Sequence, residues 1–412
     1  MVPSKIVLIN ISGEDQPGLM AIVTSRLSDY EAHILDVGQS VIHNELNLGI
    51  LIQTSETKKR RGTDELLPIL KEQMEKLGMS IRATPVTEKQ YRDWVAAQGK
   101  LRSIVTLLTS GDTSEQLASV TSVVQQHGLN VDGIRRLSGR IPLGQESIGR
   151  IIVEMSLRGF IHDPARLKTD LMSSAERLGF DFSVQRDSVF RRTRRLVAFD
   201  MDSTLINAEI IDELAKRHGV GSQVAGITQR AMMGELDFEE SFQERSRLLK
   251  GLSVRVLHDV AENVALNPGA DRLLRALHYF GFKTAIISGG FQYVGDLLAD
   301  RLGIDYVFAN SLEITNEIMT GEVEGEIINA HRKSELLKEI AHSEGISDQQ
   351  TIAIGDGAND IPMLNTAGLG VAYHAKPFVR NTADHVISEF GLDSVLYLMG
   401  FSDLDVEEAL MN

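Results

Sequence analysis

The chain has 412 residues, 42% of them hydrophobic and 24% charged, which is typical of a globular protein with two or three domains. The absence of cysteine excludes disulfides, thiolate catalysis and cysteine zinc sites. The net charge of −15 disfavours a nucleic-acid partner, because phosphates require a basic surface. The N-terminal apolar run is too short for a signal peptide, and no apolar stretch could span a membrane, so we expect a cytoplasmic protein without membrane contact.

Residues 1–90 predict one small α+β domain. The pattern predicts a strand at 4–12, a helix at 19–29, strands at 39–43 and 48–53, a helix at 65–78 and a final strand. This order, βαββαβ, gives a ferredoxin-like antiparallel sheet covered by helices on one face. The loop Asp15-Gln16-Pro17-Gly18 precedes the first helix; it is either a plain helix-capping turn or a place where glycine lets a ligand approach the backbone.

Residues 100–186 repeat this order at an offset of roughly 96–98 residues, which indicates a duplication. The repeat predicts strands at 104–108 and 150–157 and helices at 115–127 and 164–178. The loop equivalent to the first copy's reads Ser110-Gly111-Asp112-Thr113 and lacks the Pro-Gly pair. For this copy we therefore favour a structural or dimerising role over ligand binding.

The run Arg191-Arg192-Thr193-Arg194-Arg195 is interpreted as a solvated linker. Beyond it, residues 194–405 predict a doubly wound α/β domain, since short apolar runs alternate with helices. The predicted parallel strands are 196–199, 284–287, 351–354 and 369–372. A helical insertion at about 208–267 follows the first strand, and we expect it to form a cap over the site.

Polar side chains follow three of these strands. Asp200 and Asp202 end the first, Ser288-Gly289-Gly290 the second and Asp356 the third. Because ligands of parallel sheets bind at the carboxyl ends of the strands, we expect these groups to share one site. Oxygen-only ligands favour Mg²⁺, and Lys333 would add positive charge for phosphate oxygens.

The ordered set resembles the haloacid dehalogenase superfamily of phosphatases. Its motifs are matched by Asp200, Asp202, Thr204, Ser288, Lys333, Asp356 and Asp360. The resemblance implies that Asp200 is the nucleophile, that Asp202 is the general acid and base, and that Thr204 and Asp360 support the site, Asp360 by holding Lys333. It also implies Mg²⁺ ligation by the side chains of Asp200 and Asp356 and by the Asp202 carbonyl.

The insertion narrows the resemblance to the phosphoserine phosphatases, which it matches over about residues 190–405. The residues that carry this match are Glu209, Met232, Phe238 and Arg245. The resemblance implies hydrolysis of O-phosphoserine through an aspartyl phosphate, the last step of L-serine biosynthesis. Glu209 would bind the ammonium and Arg245 the carboxylate, Met232 and Phe238 would exclude water, and Ser288, Gly289, Gly290, Lys333 and Asn359 would contact substrate.

Residues 1–90 and 100–186 resemble the ACT family of amino-acid-binding modules. The resemblance implies a homodimer and regulation by L-serine near Asp15 and Gly18. Two alternatives stay open: another small phosphomonoester phosphatase of the same superfamily, and an ACT-based amino-acid sensor without activity. Glu209 and Arg245 disfavour the first, and the complete catalytic set disfavours the second.

Overall fold

The chain forms two compact units, residues 1–100 and 101–412. The computed structural model describes residues 4–55, 63–97, 102–110, 113–140 and 149–411. None of the helices in these ranges is long and apolar enough to cross a membrane.

The first unit is a four-stranded antiparallel sheet with two helices packed on it. Its elements are β1 (Ser4–Glu14), α1 (Leu19–Asp29), β2 (His33–Ile42), β3 (Glu45–Ser55), α2 (Thr63–Lys76), β4 (Ser80–Val86) and α3 (Glu88–Ala97). The strand order is β2-β3-β1-β4, which confirms the predicted ferredoxin-like sheet. β2 begins six residues before the predicted start at Gln39. Nearly all of its residues are exposed, so no apolar alternation marks that start.

Alternation explains why the helices cover one face of this sheet. Ile9 and Ile11 of β1 point to the same face and are buried against Val23 and Leu27 of α1. Leu70 of α2 completes the same cluster. The opposite face carries the intervening side chains.

The second unit begins with a sheet of the same topology. Its elements are β5 (Arg102–Thr109), α4 (Thr113–Gln126), β6 (Asn130–Arg136), β7 (Ile151–Arg158), α5 (Pro164–Leu178) and β8 (Asp181–Arg186). All pairings are antiparallel, in the order β6-β7-β5-β8. The second strand of the repeat is therefore again at one edge and the fourth strand again beside the first.

The rest of the second unit forms the α/β core and its insertion. The strands are β9 (Leu196–Phe199), β10 (Lys283–Phe291), β11 (Tyr306–Thr315), β12 (Ile318–Glu324), β13 (Thr351–Gly355), β14 (Leu369–Tyr373) and β15 (His385–Ile387). The helices are α6 (Val189–Arg192), α7 (Ile210–His218), α8 (Gly221–Met232), α9 (Phe238–Leu248), α10 (Val254–Asn263), α11 (Ala270–Tyr279), α12 (Gln292–Leu302), α13 (Ala330–Ser343), α14 (Ile361–Thr366), α15 (Pro377–Thr382), α16 (Val395–Leu398) and α17 (Asp403–Met411).

The core strands are parallel, as predicted, in the order β11-β10-β9-β13-β14-β15, with β12 antiparallel at the edge. Both faces are buried: Val197 and Phe199 belong to one apolar cluster, Leu196 and Ala198 to the other. This double burial is why these strands read as continuous apolar runs. The sequence did not predict that β15 also pairs with β8, through Val386 and Phe182, which joins the two sheets into one of eleven strands.

The insertion consists of α7 to α10, and its two connections to the core lie side by side. Asn207 N–H donates to the Ala265 carbonyl at 2.8 Å, and Ile206 pairs with Leu266. The chain thus leaves and re-enters the core at one narrow place beside β9.

The interpretation of the arginine run as a solvated linker is wrong for two of its members. Arg191 and Arg194 are only 7% and 5% exposed. Arg191 forms an ion pair with Glu154 of β7, and Arg194 Nη2 donates to Gln185 Oε1 of β8 at 2.8 Å. These partners are provided by the preceding sheet, so the local sequence alone carries no sign of them.

Candidate active site

The predicted motifs converge at the carboxyl ends of β9, β10 and β13. Lys333, fully buried on α13, places its Nζ 2.7 Å from Asp200 Oδ1 and 2.7 Å from Asp360 Oδ1. Ser288 follows the hydrophobic part of β10 and is also buried. A buried ammonium between two carboxylates is held in one position, because removing either contact would leave charge unpaired.

The turn after β9 brings its side chains to three different neighbours. Thr204 Oγ1 donates to Asp356 Oδ1 at 3.0 Å, and Asp202 Oδ1 accepts from Ile210 N–H at 3.3 Å. Ser203 adopts a left-handed conformation, with φ of 56°, and its Oγ donates to Glu209 Oε1 at 2.8 Å. The turn therefore connects β9 directly to the start of the insertion.

Sequence reasoning missed two buried asparagines that fix these loops. Asn267 Nδ2 donates to the carbonyls of Ser203, Thr204 and Ile206 at 3.0, 2.8 and 3.2 Å. Asn310 Nδ2 donates to the Gly289 carbonyl, and its Oδ1 accepts from Ile328 N–H. The one sequence signal was the position of Asn267, directly before Pro268-Gly269, where the chain returns from the insertion to the core.

The carboxylates of the site differ in their tendency to hold a proton. The pKa of Asp202 is raised well above its ordinary value by desolvation and by the charges of Glu209 and Asp200. Desolvation and the neighbouring Asp200 and Asp360 raise the pKa of Asp356 to about 7. For Lys333, desolvation lowers the pKa, but Asp200 and Asp360 outweigh it and the pKa is raised. Asp202 is thus the carboxyl group best suited to be protonated beside an ionised neighbour.

Three carboxylates form a group that could hold a metal ion. One oxygen each of Asp200, Asp356 and Asp360 lies within 4.8 Å of the others. Such an oxygen-only set fits a hard divalent cation. The Asp202 side chain is outside this group; its expected contribution was the main-chain carbonyl. Asp360 lies inside the group, although the sequence assigned it only to Lys333.

The insertion brings an aromatic side chain and an arginine to the site. A Cβ built on Gly289 would lie 2.7 Å from Phe238 Cζ, and one on Gly290 would lie 2.7 Å from Asp202 Oδ2, so both glycines allow close approach. Desolvation lowers the pKa of Arg245, opposed by the charges of Asp212, Glu209 and Asp202.

Other predicted site residues have different outcomes. Asn359 is partly buried in a short turn held by Gly357 N–H, which donates to Asp360 Oδ2 at 2.9 Å. Met232 ends α8, but its side chain lies outside the described part of the chain.

In the first unit, Asp15 N–H donates to the Asn44 carbonyl, and Gly18 has φ of 89° at the start of α1. Gly111 and Asp112 of the second loop also lie outside the described residues.

Known proteins resemble both parts of the chain. Residues 197–365 match the haloacid dehalogenase-like hydrolase family, and residues 5–84 match the ACT domain family. A phosphoserine phosphatase of Streptomyces coelicolor is 38% identical over 98% of this chain and 94% of its own length. One from Mycobacterium tuberculosis is 36% identical over 99% and 96%.

A solved structure agrees with these relatives. The crystal structure of a probable phosphoserine phosphatase from Vibrio cholerae, unliganded, superposes with a TM-score of 0.58 at 33% identity, over 75% of this chain and 88% of that one. The full-length relatives share both the N-terminal region and the core that carries the Asp200–Lys333 site. The chain therefore belongs to the phosphoserine phosphatases of the haloacid dehalogenase-like hydrolases and carries an N-terminal ACT domain.

Proposed function

We propose that this chain hydrolyses O-phosphoserine to serine and phosphate through an aspartyl phosphate on Asp200, the last step of L-serine biosynthesis. One observation supports phosphoserine as the substrate. Arg245 and Glu209, of opposite charge, lie near the catalytic carboxylates, since the charge of Asp202 opposes the desolvation that lowers the pKa of Arg245, and the charge of Asp200 adds to the desolvation that raises that of Glu209. An amino-acid phosphate presents a carboxylate and an ammonium beside its phosphate, and these two side chains complement both charges.

Two displacements at phosphorus account for the catalytic residues. Asp200 attacks phosphorus, so that its Oδ–P bond forms while the bond from phosphorus to the serine oxygen breaks. Asp202, whose raised pKa keeps a proton available, protonates the departing serine oxygen. Asp202 then takes a proton from the water that attacks the aspartyl phosphate, which releases phosphate and restores the Asp200 carboxylate.

Charge on the transferred phosphoryl group is balanced by fixed donors. Lys333 lies against Asp200 and is anchored by Asp360, so its ammonium needs no reorganisation during the reaction. The Ser288 hydroxyl and the backbone N–H groups of Gly289 and Gly290 would donate to the phosphate oxygens. Thr204 holds Asp356 in the same arrangement.

We assign Mg²⁺ as the metal, held by the side chains of Asp200 and Asp356 and by the Asp202 carbonyl. The grouped carboxylate oxygens support a small, hard divalent cation. When bound, Mg²⁺ would neutralise phosphate charge and orient the phosphoryl group. Asp360 is then left to Lys333, since its Oδ1 already accepts from that ammonium and its Oδ2 from Gly357 N–H.

Recognition of the amino-acid end rests on the insertion. Glu209 remains accessible at the start of α7 and would bind the ammonium, while the Arg245 guanidinium would hold the carboxylate in a bidentate pair. Met232 and Phe238 would exclude water, and Asn359 would contact substrate. A phosphate ester without either charge would leave a side chain unpaired, which makes the site selective.

Phosphate release from phosphoserine, phosphothreonine and phosphoethanolamine, with and without Mg²⁺, tests the proposal. We expect Mg²⁺-dependent turnover with phosphoserine preferred, and a loss of more than about a thousandfold in Asp200→Asn. Phosphoethanolamine lacks the carboxylate and should have a kcat/KM about a hundredfold lower. Equal rates on both esters would refute the role of Arg245 but leave the phosphatase activity standing.

Arg245→Met sharpens this test because it should abolish the discrimination rather than the chemistry. The variant should lose kcat/KM for phosphoserine and keep that for phosphoethanolamine. Arg247→Met on the same helix is the matched control, since Arg247 is exposed and its guanidinium lies 4.0 Å from Glu322. Equal losses on both esters in Arg245→Met would contradict the assignment.

We further propose that the chain has three domains, residues 1–90, 100–186 and 194–405, of which the last two share one sheet. We also propose that the protein is a cytoplasmic homodimer and that L-serine binds near Asp15 and Gly18. The match of residues 5–84 to the ACT domain supports a small regulatory ligand in the first unit. The left-handed Gly18 supports the location, because no neighbouring atom lies within 4 Å of a Cβ built there.

A further inference from the structure

A cavity of about 650 Å³ lies inside the second unit, where the sheet of residues 102–186 meets the α/β core. Its walls come from α5, β8 and α6 and from the residues that precede β9, β13 and β14. Apolar side chains form much of the lining, among them Leu167, Phe182 and Val184. Val189 and Phe190 also line it while remaining 66% and 39% exposed.

Unpaired positive charge lies on the same walls. Arg194 is 5% exposed, and its buried Nε and Nη1 groups have no hydrogen-bond partner in the described part of the chain. Its Nη2 donates to a neutral amide, Gln185 Oε1. Lys168 Nζ donates to the Ala383 carbonyl. The partners of these two cations among the described residues are thus an amide and a carbonyl oxygen rather than carboxylates, an arrangement that is costly for a buried guanidinium.

Neighbouring carboxylates leave the charge of Arg194 uncompensated, whereas Asp384 acts on Lys168 and opposes the lowering of its pKa by desolvation. Arg191, also on the cavity wall, forms an ion pair with Glu154. Its positive charge still acts on Arg194 and lowers the pKa of that residue. His385 lines the cavity too, and its pKa is lowered to about 3 by burial and by Arg194 and Lys168, so it stays neutral. Asp384 is exposed and is the one carboxylate among the lining residues that the structure describes.

The cavity is remote from the catalytic groups. Arg194, Gln349 and Gly368 precede β9, β13 and β14, whereas Asp200 and Asp356 follow β9 and β13. These strands are parallel, so the cavity lies at their amino ends and the active site at their carboxyl ends. A ligand of this cavity would not occupy the substrate site.

We propose that this cavity binds a small organic carboxylate with an apolar body, its carboxylate paired with Arg194 and Lys168. An unpaired guanidinium favours an oxyanion, and a planar carboxylate can meet it with two hydrogen bonds. The apolar walls favour an organic body over bare phosphate, since pockets for small organic ligands combine apolar lining with few polar anchors.

Calorimetric titration of the full chain with 3-phenylpropanoate tests the proposal, with 3-phenylpropanamide and inorganic phosphate as comparisons. We expect the carboxylate to bind, and the neutral amide and phosphate to bind at least about tenfold more weakly. Absence of carboxylate binding, or equal affinity for carboxylate and amide, would overturn the proposal.

Substitutions at Val189 locate the binding without disturbing the buried arginines. Val189→Glu places a negative charge on the cavity wall and should raise the Kd for 3-phenylpropanoate at least about tenfold. Val189→Gln has nearly the same size and no charge, and should retain binding. Arg194→Met should lose binding if it folds. Equal affinities in the glutamate and glutamine variants would show that the ligand binds elsewhere and refute the site.

Discussion

The two βαββαβ repeats have one topology and two different surroundings. In each, the fourth strand lies beside the first, but β4 is largely exposed whereas β8 is almost fully buried. Among the described residues β4 pairs only with β1, while β8 pairs with both β5 and β15. The partner of the fourth strand therefore decides whether such a sheet is a unit of its own or part of the enzyme core.

Polar contacts reinforce the attachment of the second repeat. Asp181 of β8 accepts from the backbone N–H groups of Ser388 and Glu389 at 2.9 Å each, beyond the end of β15. Arg150 Nη1 donates to Asp393 at 2.7 Å, and that carboxylate also accepts from Arg272 of α11. Since α11 begins three residues after Asn267, these contacts reach the segment that holds the turn after β9.

Truncation should give the largest difference between the contributions of the two repeats to stability. Removing residues 1–100 should leave the Tm of the second unit within about 2 °C of its value in the full chain, because that unit has its own core. Removing residues 1–188 should lower it by about 10 °C or more, since it uncovers β15 and leaves Asp393 with fewer partners. Calorimetry measures both transitions, and equal Tm values for the two truncated proteins would refute the distinction.

Single ion pairs should reproduce the contrast on a smaller scale. Arg191→Met leaves Glu154 partly buried without its closest cation, and should destabilise the second unit by about 3 kcal/mol. Lys76→Met in the first unit breaks an exposed i,i+4 pair with Glu72 and should leave the stability of that unit almost unchanged, because water screens such a pair. Urea denaturation of the two variants measures both. Similar losses would mean that Arg191 is effectively solvated.

The buried contacts between the second repeat and the core could not be predicted from the sequence, whereas much of the active site could. The strands that position Asp200, Ser288 and Asp356 were predictable, because continuous apolar runs followed by polar residues mark buried parallel strands. Asp360 beside Lys333 followed from the resemblance and agrees with the observed contact. The arginine run looked solvated because its partners, Glu154 and Gln185, lie on strands of another sheet.

The pairing of β8 with β15 was hidden for a related reason. It depends on one residue pair between short strands about 200 positions apart, and neither strand has a sequence pattern from which its neighbour in the sheet could be predicted. Asn267 and Asn310 were missed because a buried amide bound to backbone carbonyls has no characteristic spacing. Local periodicity predicted the elements, whereas the contacts between distant elements required the structure.

Acidification should weaken the junction of the second repeat with the core. His385 begins β15, is bound to Ser183 of β8, and has a pKa near 3, against about 6.5 when unfolded. Between these values only the unfolded chain takes up the proton, so stability falls as the pH drops below 6.5. From pH 7 to 5 the wild type should lose about 2 kcal/mol that His385→Asn does not lose.

Urea denaturation at both pH values checks this difference. His43→Asn, at an exposed position of the first unit, is the control and should keep the wild-type pH dependence of the second unit. Parallel pH profiles for wild type and His385→Asn would mean that His385 is protonated in the folded protein, and the junction would then be insensitive to acid over this range.

A last prediction concerns the loop whose Pro-Gly pair, Pro17-Gly18, is missing in the second repeat. Gly18 has φ of 89°, so Gly18→Ala should cost about 1 kcal/mol in the first unit and leave phosphate release without L-serine unchanged. If L-serine binds beside this loop, its Kd should rise in the variant, measured by calorimetry on the full chain. Gly78→Ala is a matched control, because Gly78 has φ of 73° in the same unit, also with open space around it. Equal weakening in both variants would indicate a general loss of stability, and absence of L-serine binding in wild type would remove the regulatory role of the first repeat.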